Sequence, residues 1–178
     1  MEGLDYFKSA YVEIGNFILN ALNIINMKEV ELFVDALINV YKSDKKVLVV
    51  GAGRSGLVGR AFAMRLMHLG FRSYVLGETI TPSVGEGDLV VAISGSGTTT
   101  MVVAAAEAAK KMRAKVVAIT SYRDSPLANY ADLVVQVLVG LRWLQWMITS
   151  PDRYSVFTSL WRHWGHYSRT QRWFCLTQ

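Results

Sequence analysis

Cysteine is almost absent, for the 178 residues contain one, Cys175. A lone thiol closes no internal disulfide and builds no cysteine-based zinc site, so a packed core must hold the fold together. The chain also has no run of roughly eighteen uninterrupted apolar residues, the length that a spanning helix needs. Its start, Met1-Glu2-Gly3-Leu4-Asp5, lacks the basic-then-apolar order of a secretion signal, which leads us to expect a soluble, cytoplasmic protein. Low-complexity linkers and internal repeats are missing from the body. What is present is apolar: 52% hydrophobic against 19% charged residues, with a mean hydropathy of +0.25. That balance excludes a disordered chain and suits one domain with a sizeable core.

Acidic residues are scarce in one region. Residues 141–178 contain five arginines (Arg142, Arg153, Arg162, Arg169, Arg172), no lysine and a single acid, Asp152. Removing these from the totals of 19 basic and 14 acidic residues leaves 14 and 13 in the first 140, so the formal +5 falls to +1 in the body. The body is therefore nearly neutral, which speaks against reading the chain's overall charge as a nucleic-acid signal of the body. The same tail holds all five tryptophans, Trp143, Trp146, Trp161, Trp164 and Trp173, and a break this sharp requires its own explanation.

Within the body, residues 4–26 carry apolar side chains at helical spacing, and a second such stretch runs from Val30 to Tyr41. Short apolar runs at 47–50, 73–76, 88–93, 115–119 and 132–137 read as strands. Helices are expected at 55–69 and 99–112, with a short one near Leu127. Five short strands, most of them separated by helices, predict an α/β fold: a five-stranded parallel sheet flanked by helices, preceded by two N-terminal helices. Ligands of such sheets bind beyond the carboxyl ends of the strands.

Two glycine-containing loops fall at such ends. The first, Gly51-Ala52-Gly53-Arg54-Ser55-Gly56, has the G-x-G-x-x-G spacing between a strand and a helix. It reads either as a ligand cradle, with Arg54 and Ser55 adding a cation and a hydroxyl, or as a tight turn with Arg54 solvated. The second, Ser94-Gly95-Ser96-Gly97-Thr98-Thr99-Thr100, gathers hydroxyls and glycine amides at a helix start, where hydrogen bonding and the helix dipole both favour an anion. Thr99 or Thr100 also fits an ordinary helix cap. A nicotinamide-dependent oxidoreductase would want an acidic residue about 20 positions beyond the first glycine. Glu78 lies 27 positions after Gly51, and the richer anion site is on the later strand, which favours a monophosphorylated small molecule over a dinucleotide.

With both loops in hand, the chain resembles the sugar isomerase (SIS) domain family, and within it the 6-phospho-3-hexuloisomerases. The resemblance rests on Val49-Val50-Gly51-Ala52-Gly53-Arg54-Ser55-Gly56, Ala63-Met64-Arg65-Leu66-Met67-His68-Leu69-Gly70, Gly77-Glu78-Thr79-Ile80-Thr81-Pro82 and Ser94-Gly95-Ser96-Gly97-Thr98-Thr99. It covers the chain to about Val137 and implies a flavodoxin-like three-layer sandwich over residues 1–137. It further implies a phosphosugar site in which Ser94, Gly95, Ser96, Gly97 and Thr99 hold the phosphate while Gly53, Arg54 and Ser55 stand near the sugar. The implied reaction interconverts 3-hexulose 6-phosphate and fructose 6-phosphate through an enediol, as in the ribulose monophosphate pathway. It needs neither metal nor other cofactor. Glu78 and His68 are the candidate proton-transfer groups, with a strand-end hydrogen bond for the first and a structural or subunit contact for the second as alternatives. Arg65 either reaches a subunit interface or is solvated. Homo-oligomers, tetramers in particular, are expected, with no nucleic-acid or membrane partner. A non-catalytic phosphosugar-binding module is the second reading and an NAD-dependent oxidoreductase the third.

The tail departs from the family pattern, which places a further glutamate in a Pro-Leu-Gly-Thr-x-Phe-Glu type of segment after the last strand. Residues 138–178 contain no glutamate. The genetic code offers a test, in which the last base of each codon is joined to the next two. Trp146-Met147-Ile148 then has to read Asp-Asp, His163-Trp164-Gly165 has to read Leu-Gly, and His166-Tyr167 has to begin with Leu, whichever synonymous codons are used. The remaining positions of 161–174 permit the family segment. The tail is therefore expected to be an out-of-frame translation beginning near Leu138. The competing reading is a genuine basic, aromatic tail that stacks on bases or lies at a membrane surface.

Overall fold

The computed structural model describes residues 2–137. The tail from Leu138, with the out-of-frame reading and the boundary placed after Val137, lies outside the described residues. Among the described residues, contacts place the sheet in one compact unit that starts at Asn20, and the residues up to Leu19 in another.

The first helix, α1 (Glu2–Ala21), carries Leu4, Phe7, Tyr11, Ile14 and Ile18 at three- and four-residue steps, all of them exposed. The rings of Phe7 and Tyr11 lie 5.3 Å apart. The helical periodicity continues in the sequence to Ile25, but the helix stops at Ala21, because the chain turns there and Asn26 starts the next helix. The Asn26 side chain accepts the Lys28 N–H at 3.0 Å and donates to Glu29 at 3.1 Å, a variant of the capping box that fixes the start of α2 (Met27–Lys42).

The remaining elements are β1 (Lys46–Gly51), α3 (Gly53–His68), β2 (Arg72–Val75), β3 (Leu89–Ile93), α4 (Thr100–Lys111), β4 (Lys115–Thr120), a 3-10 turn at Ala128–Tyr130 and β5 (Leu133–Gln136). All strand pairs are parallel and the order is β2-β1-β3-β4-β5. Strands that are apolar on both faces can be buried only between two layers of helices. Accordingly Val50, Val90 and Ala92 pack with Val102 and Ala106 of α4, while Val49, Leu89 and Val91 pack with Val40 of α2 and Ala63 and Leu66 of α3. The fold is the expected three-layer α/β sandwich. Each fully buried valine contributes about 1.5–3 kcal/mol.

Two aspartates secure the amino edge of the sheet. Asp88 accepts the N–H groups of Lys46 at 2.9 Å and Gly85 at 2.8 Å, with the Lys46 ammonium 3.3 Å away. Burial alone would raise its pKa, but these three donors outweigh burial and hold it below the ordinary value. Asp132 repeats the device at Val116 N–H, 2.8 Å, and Lys110.

Candidate functional site

In a sheet of order 2-1-3-4-5 the connections leave β1 and β3 toward opposite faces, which opens a crevice between their carboxyl ends. Gly51 and Ile93, the last residues of these strands, are partners in the parallel register, so the two glycine loops emerge side by side. The fold brings together the segments that hold Gly53, Arg54, Ser55, Ser94, Gly95, Ser96, Gly97 and Thr99.

The first loop is shorter than expected, because α3 begins at Gly53, two residues before Ser55. A Cβ at Gly51 would stand 2.9 Å from the Ser55 carbonyl, and one at Gly56 would stand 2.9 Å from the Gly51 oxygen. These two glycines allow the helix start to lie directly on the strand end. Ala52, the residue before the helix, makes no side-chain cap. Gly53 and Arg54 are exposed and Ser55 is half-buried.

The second loop is a network of hydroxyls. Ser94 is buried, its Oγ lies 2.9 Å from Thr99 Oγ1, and it accepts the Gly97 N–H at 3.1 Å. Thr99 occupies the N-cap position of α4 without a side-chain cap bond, since its hydroxyl is turned to Ser94. Ser96 is exposed and its Oγ accepts from Thr98 N–H at 3.3 Å and lies 3.0 Å from Thr98 Oγ1. Gly97 has φ +66°, and a Cβ there would come within 2.3 Å of Ser125 Cβ.

Sequence reasoning missed the support for this loop. Ser121 N–H donates to the Gly95 carbonyl at 3.1 Å, Leu127 N–H donates to the Gly97 carbonyl at 3.0 Å, and buried Ser125 packs under Gly97. The available signal was the Thr120-Ser121 pair at the end of β4 followed by Ser125-Pro126, hydroxyls at the carboxyl end of a neighbouring strand.

The two candidate proton-transfer residues part company. Glu78 follows β2, beside β1 on the same carboxyl edge, and is half-exposed with its carboxylate 3.4 Å from Arg60 Nε. Such an exposed pair is weak. His68 is the last residue of α3, which starts at the crevice. The 16 residues of that helix carry it about 24 Å away, at a rise of about 1.5 Å per residue, so within one chain His68 does not meet the loops. Arg65, in the same last turn, is exposed. Among the described residues no three His, Cys, Asp or Glu side chains come together as metal ligands, and no helix is long and apolar enough to cross a membrane.

Residues 40–148 match the model of the SIS domain family, which takes in the sheet and extends past Leu138. An uncharacterised protein of Aeropyrum pernix is 64% identical over 125 residues, 70% of this chain and 59% of its own length. A 3-hexulose-6-phosphate isomerase of Mycobacterium gastri is 57% identical over 90 residues, 51% of this chain and 45% of that enzyme. The chain therefore spans about half of the length of these curated relatives. Among solved structures, a Methanococcus jannaschii protein whose structure infers a molecular function of 3-hexulose-6-phosphate isomerase superposes with a TM-score of 0.60 at 36% identity, covering 81% of this chain and 77% of that one.

Proposed function

This chain belongs to the SIS domain family, and on that premise we propose that it is a phosphosugar isomerase that interconverts 3-hexulose 6-phosphate and fructose 6-phosphate. The observation that carries the reading is the pair of loops at the β1/β3 crevice, one lined with hydroxyls and the other with an exposed Arg54. The names of the Mycobacterium gastri and Methanococcus jannaschii relatives support the particular sugar.

In this proposal the phosphate is held at Ser94, Gly95, Ser96, Gly97 and Thr99, where the α4 dipole and the unpaired amides of its first turn favour negative charge. Gly53, Arg54 and Ser55 stand at the sugar. Removal of the C2 proton from the 3-ketose gives a 2,3-enediol, and return of a proton to C3 leaves the carbonyl at C2. One carbon is oxidised as its neighbour is reduced, so the reaction needs no external electron acceptor. Glu78 is proposed as the proton-transfer carboxylate that this chain retains beside the general base of the missing C-terminal segment, and release from Arg60 frees it for that task. His68 is not carried into the mechanism within a single chain. Exposed Leu57, Val58, Met64 and Met67 on α3 support assembly with further copies, for which we propose a homotetramer.

The tail belongs to the same proposal. Residues 138–178 are read as a frame slip that replaces a glutamate-bearing C-terminal segment, so the chain as written binds phosphosugar weakly and turns it over poorly. Inserting one base or deleting two near codon 138 is expected to raise turnover about 10²- to 10⁴-fold, the usual effect of a placed general base, in a coupled assay for fructose 6-phosphate. Equal turnover by the two versions would overturn this part. The Arg60–Glu78 pair favours one other reading, a phosphosugar-binding module without turnover. The restored chain separates the two, since binding without product would select the module.

A further inference from the structure

Among the described residues, the most heavily bonded buried carboxylate on the carboxyl side of the sheet is outside the crevice. Glu29, in the first turn of α2, is 8% exposed. One oxygen accepts from Arg123 and from Asn26 Nδ2, and the other accepts the Gln136 N–H at 3.0 Å. Burial would raise its pKa, yet these donors together hold it below the ordinary carboxylate value. The Gln136 side chain continues the chain of bonds. Its Oε1 accepts Arg123 Nε at 2.9 Å, and its Nε2 donates to the Ser121 carbonyl at 2.9 Å. Ser121 then donates its N–H to the Gly95 carbonyl at 3.1 Å.

The end of this relay fixes one peptide group. The Gly95–Ser96 bond is trans, so its C=O and N–H point in opposite directions. With the carbonyl held toward the β4 loop, the Ser96 N–H points the other way, toward the β1/β3 crevice. Among the described residues that N–H has no partner. If the peptide flipped, a carbonyl would face the anion in its place.

We infer that Glu29 is a positioning residue for the anion loop: through Arg123, Gln136 and Ser121 it holds the Gly95 carbonyl toward β4 and thereby aims the Ser96 N–H at the ligand's phosphate. The ligand in this statement rests on the phosphosugar reading, whereas the relay itself does not. In Glu29→Gln the new amide has one acceptor and one donor atom facing three donors, so one bond has to become a clash. Gln136→Leu cuts the relay at a half-buried position that leaves Glu29 and Arg123 paired.

The test combines calorimetric titration of fructose 6-phosphate into the full chain with amide hydrogen exchange measured without ligand. Both variants are expected to raise Kd about tenfold, the equivalent of roughly 1.4 kcal/mol. They should also speed exchange at Ser121 N–H, while Val91 and Val117 in the core keep their protection. Unchanged Kd and unchanged Ser121 exchange in variants with a protected core would overturn the inference. Loss of core protection in both would overturn it too, by assigning Glu29 to the fold at large. If the unsubstituted chain binds no fructose 6-phosphate, the phosphosugar reading fails, and Ser121 exchange alone decides the relay: faster in both variants supports it, unchanged overturns it.

Discussion

The loops after β1 and β3 both look like glycine-rich anion cradles, yet they use glycine in different ways. After β1, Gly51 and Gly56 are there because backbone meets backbone, with no room for a Cβ on either. What remains of that loop is the first turn of α3, and the chemistry it offers comes from Arg54 and Ser55. After β3, the loop keeps its own conformation, with Gly97 at positive φ over Ser125 and hydroxyls bonded to one another. The first loop is a packing solution that borders the site, and the second is a cradle built to present donors. A shared motif therefore does not imply a shared role.

Substitutions can break this comparison, and the largest effect is expected in the second loop. Gly97→Ala combines a left-handed backbone with a Cβ placed 2.3 Å from Ser125 Cβ. Strain and overpacking together should cost about 2–5 kcal/mol and abolish phosphosugar binding, as read by urea unfolding and calorimetry. Gly51→Ala should cost about 1–3 kcal/mol, because its Cβ meets the Ser55 backbone, which cannot rotate away. Gly53→Ala is the control. It also has positive φ, +53°, but nothing lies within 4 Å, so only the backbone penalty of about 1 kcal/mol is expected. If Gly53→Ala proved as damaging as Gly97→Ala, the distinction between the loops would be lost.

Acid should loosen the amino edge of the sheet. The lowered pKa of Asp88 gives stability that is fully present above its unfolded value, near 3.8, and is lost as pH falls through the lower folded value. Asp88→Asn should therefore destabilise the chain at neutral pH and flatten the acid limb of a stability–pH curve. A limb of unchanged slope would remove Asp88 as its source. The smallest effect on stability belongs to Arg54→Ala. An exposed guanidinium at the crevice should change the melting temperature little while weakening phosphosugar binding. Unfolding with normal binding per folded molecule would make Arg54 structural.

Much of this was legible in the sequence because it is local. Strands β1, β3, β4 and β5 are short apolar runs rich in valine, α3 and α4 follow β1 and β3, and the glycines of the two loops sit where those strands give way to helix. The helix α3 starts at Gly53, two residues before the expected 55, because the Gly56 N–H already bonds to the Ala52 carbonyl and no side-chain cap marks the start. His68 could have been placed by topology alone, since a residue at the end of a helix that leaves the site must lie at the opposite edge. The Glu29 relay was not legible at all. Its bonds to Arg123 and Gln136 join positions 94 and 107 residues apart, and no local pattern records them.

The central claim is that the crevice between the two loops binds a phosphosugar through the second loop. Titration of fructose 6-phosphate into the unsubstituted chain, Ser96→Ala and Thr99→Val tests it most directly. The account predicts saturable binding by the unsubstituted chain and a loss of about 1–3 kcal/mol in each variant, with folding retained. Absence of binding, or equal affinity in all three proteins, would contradict it.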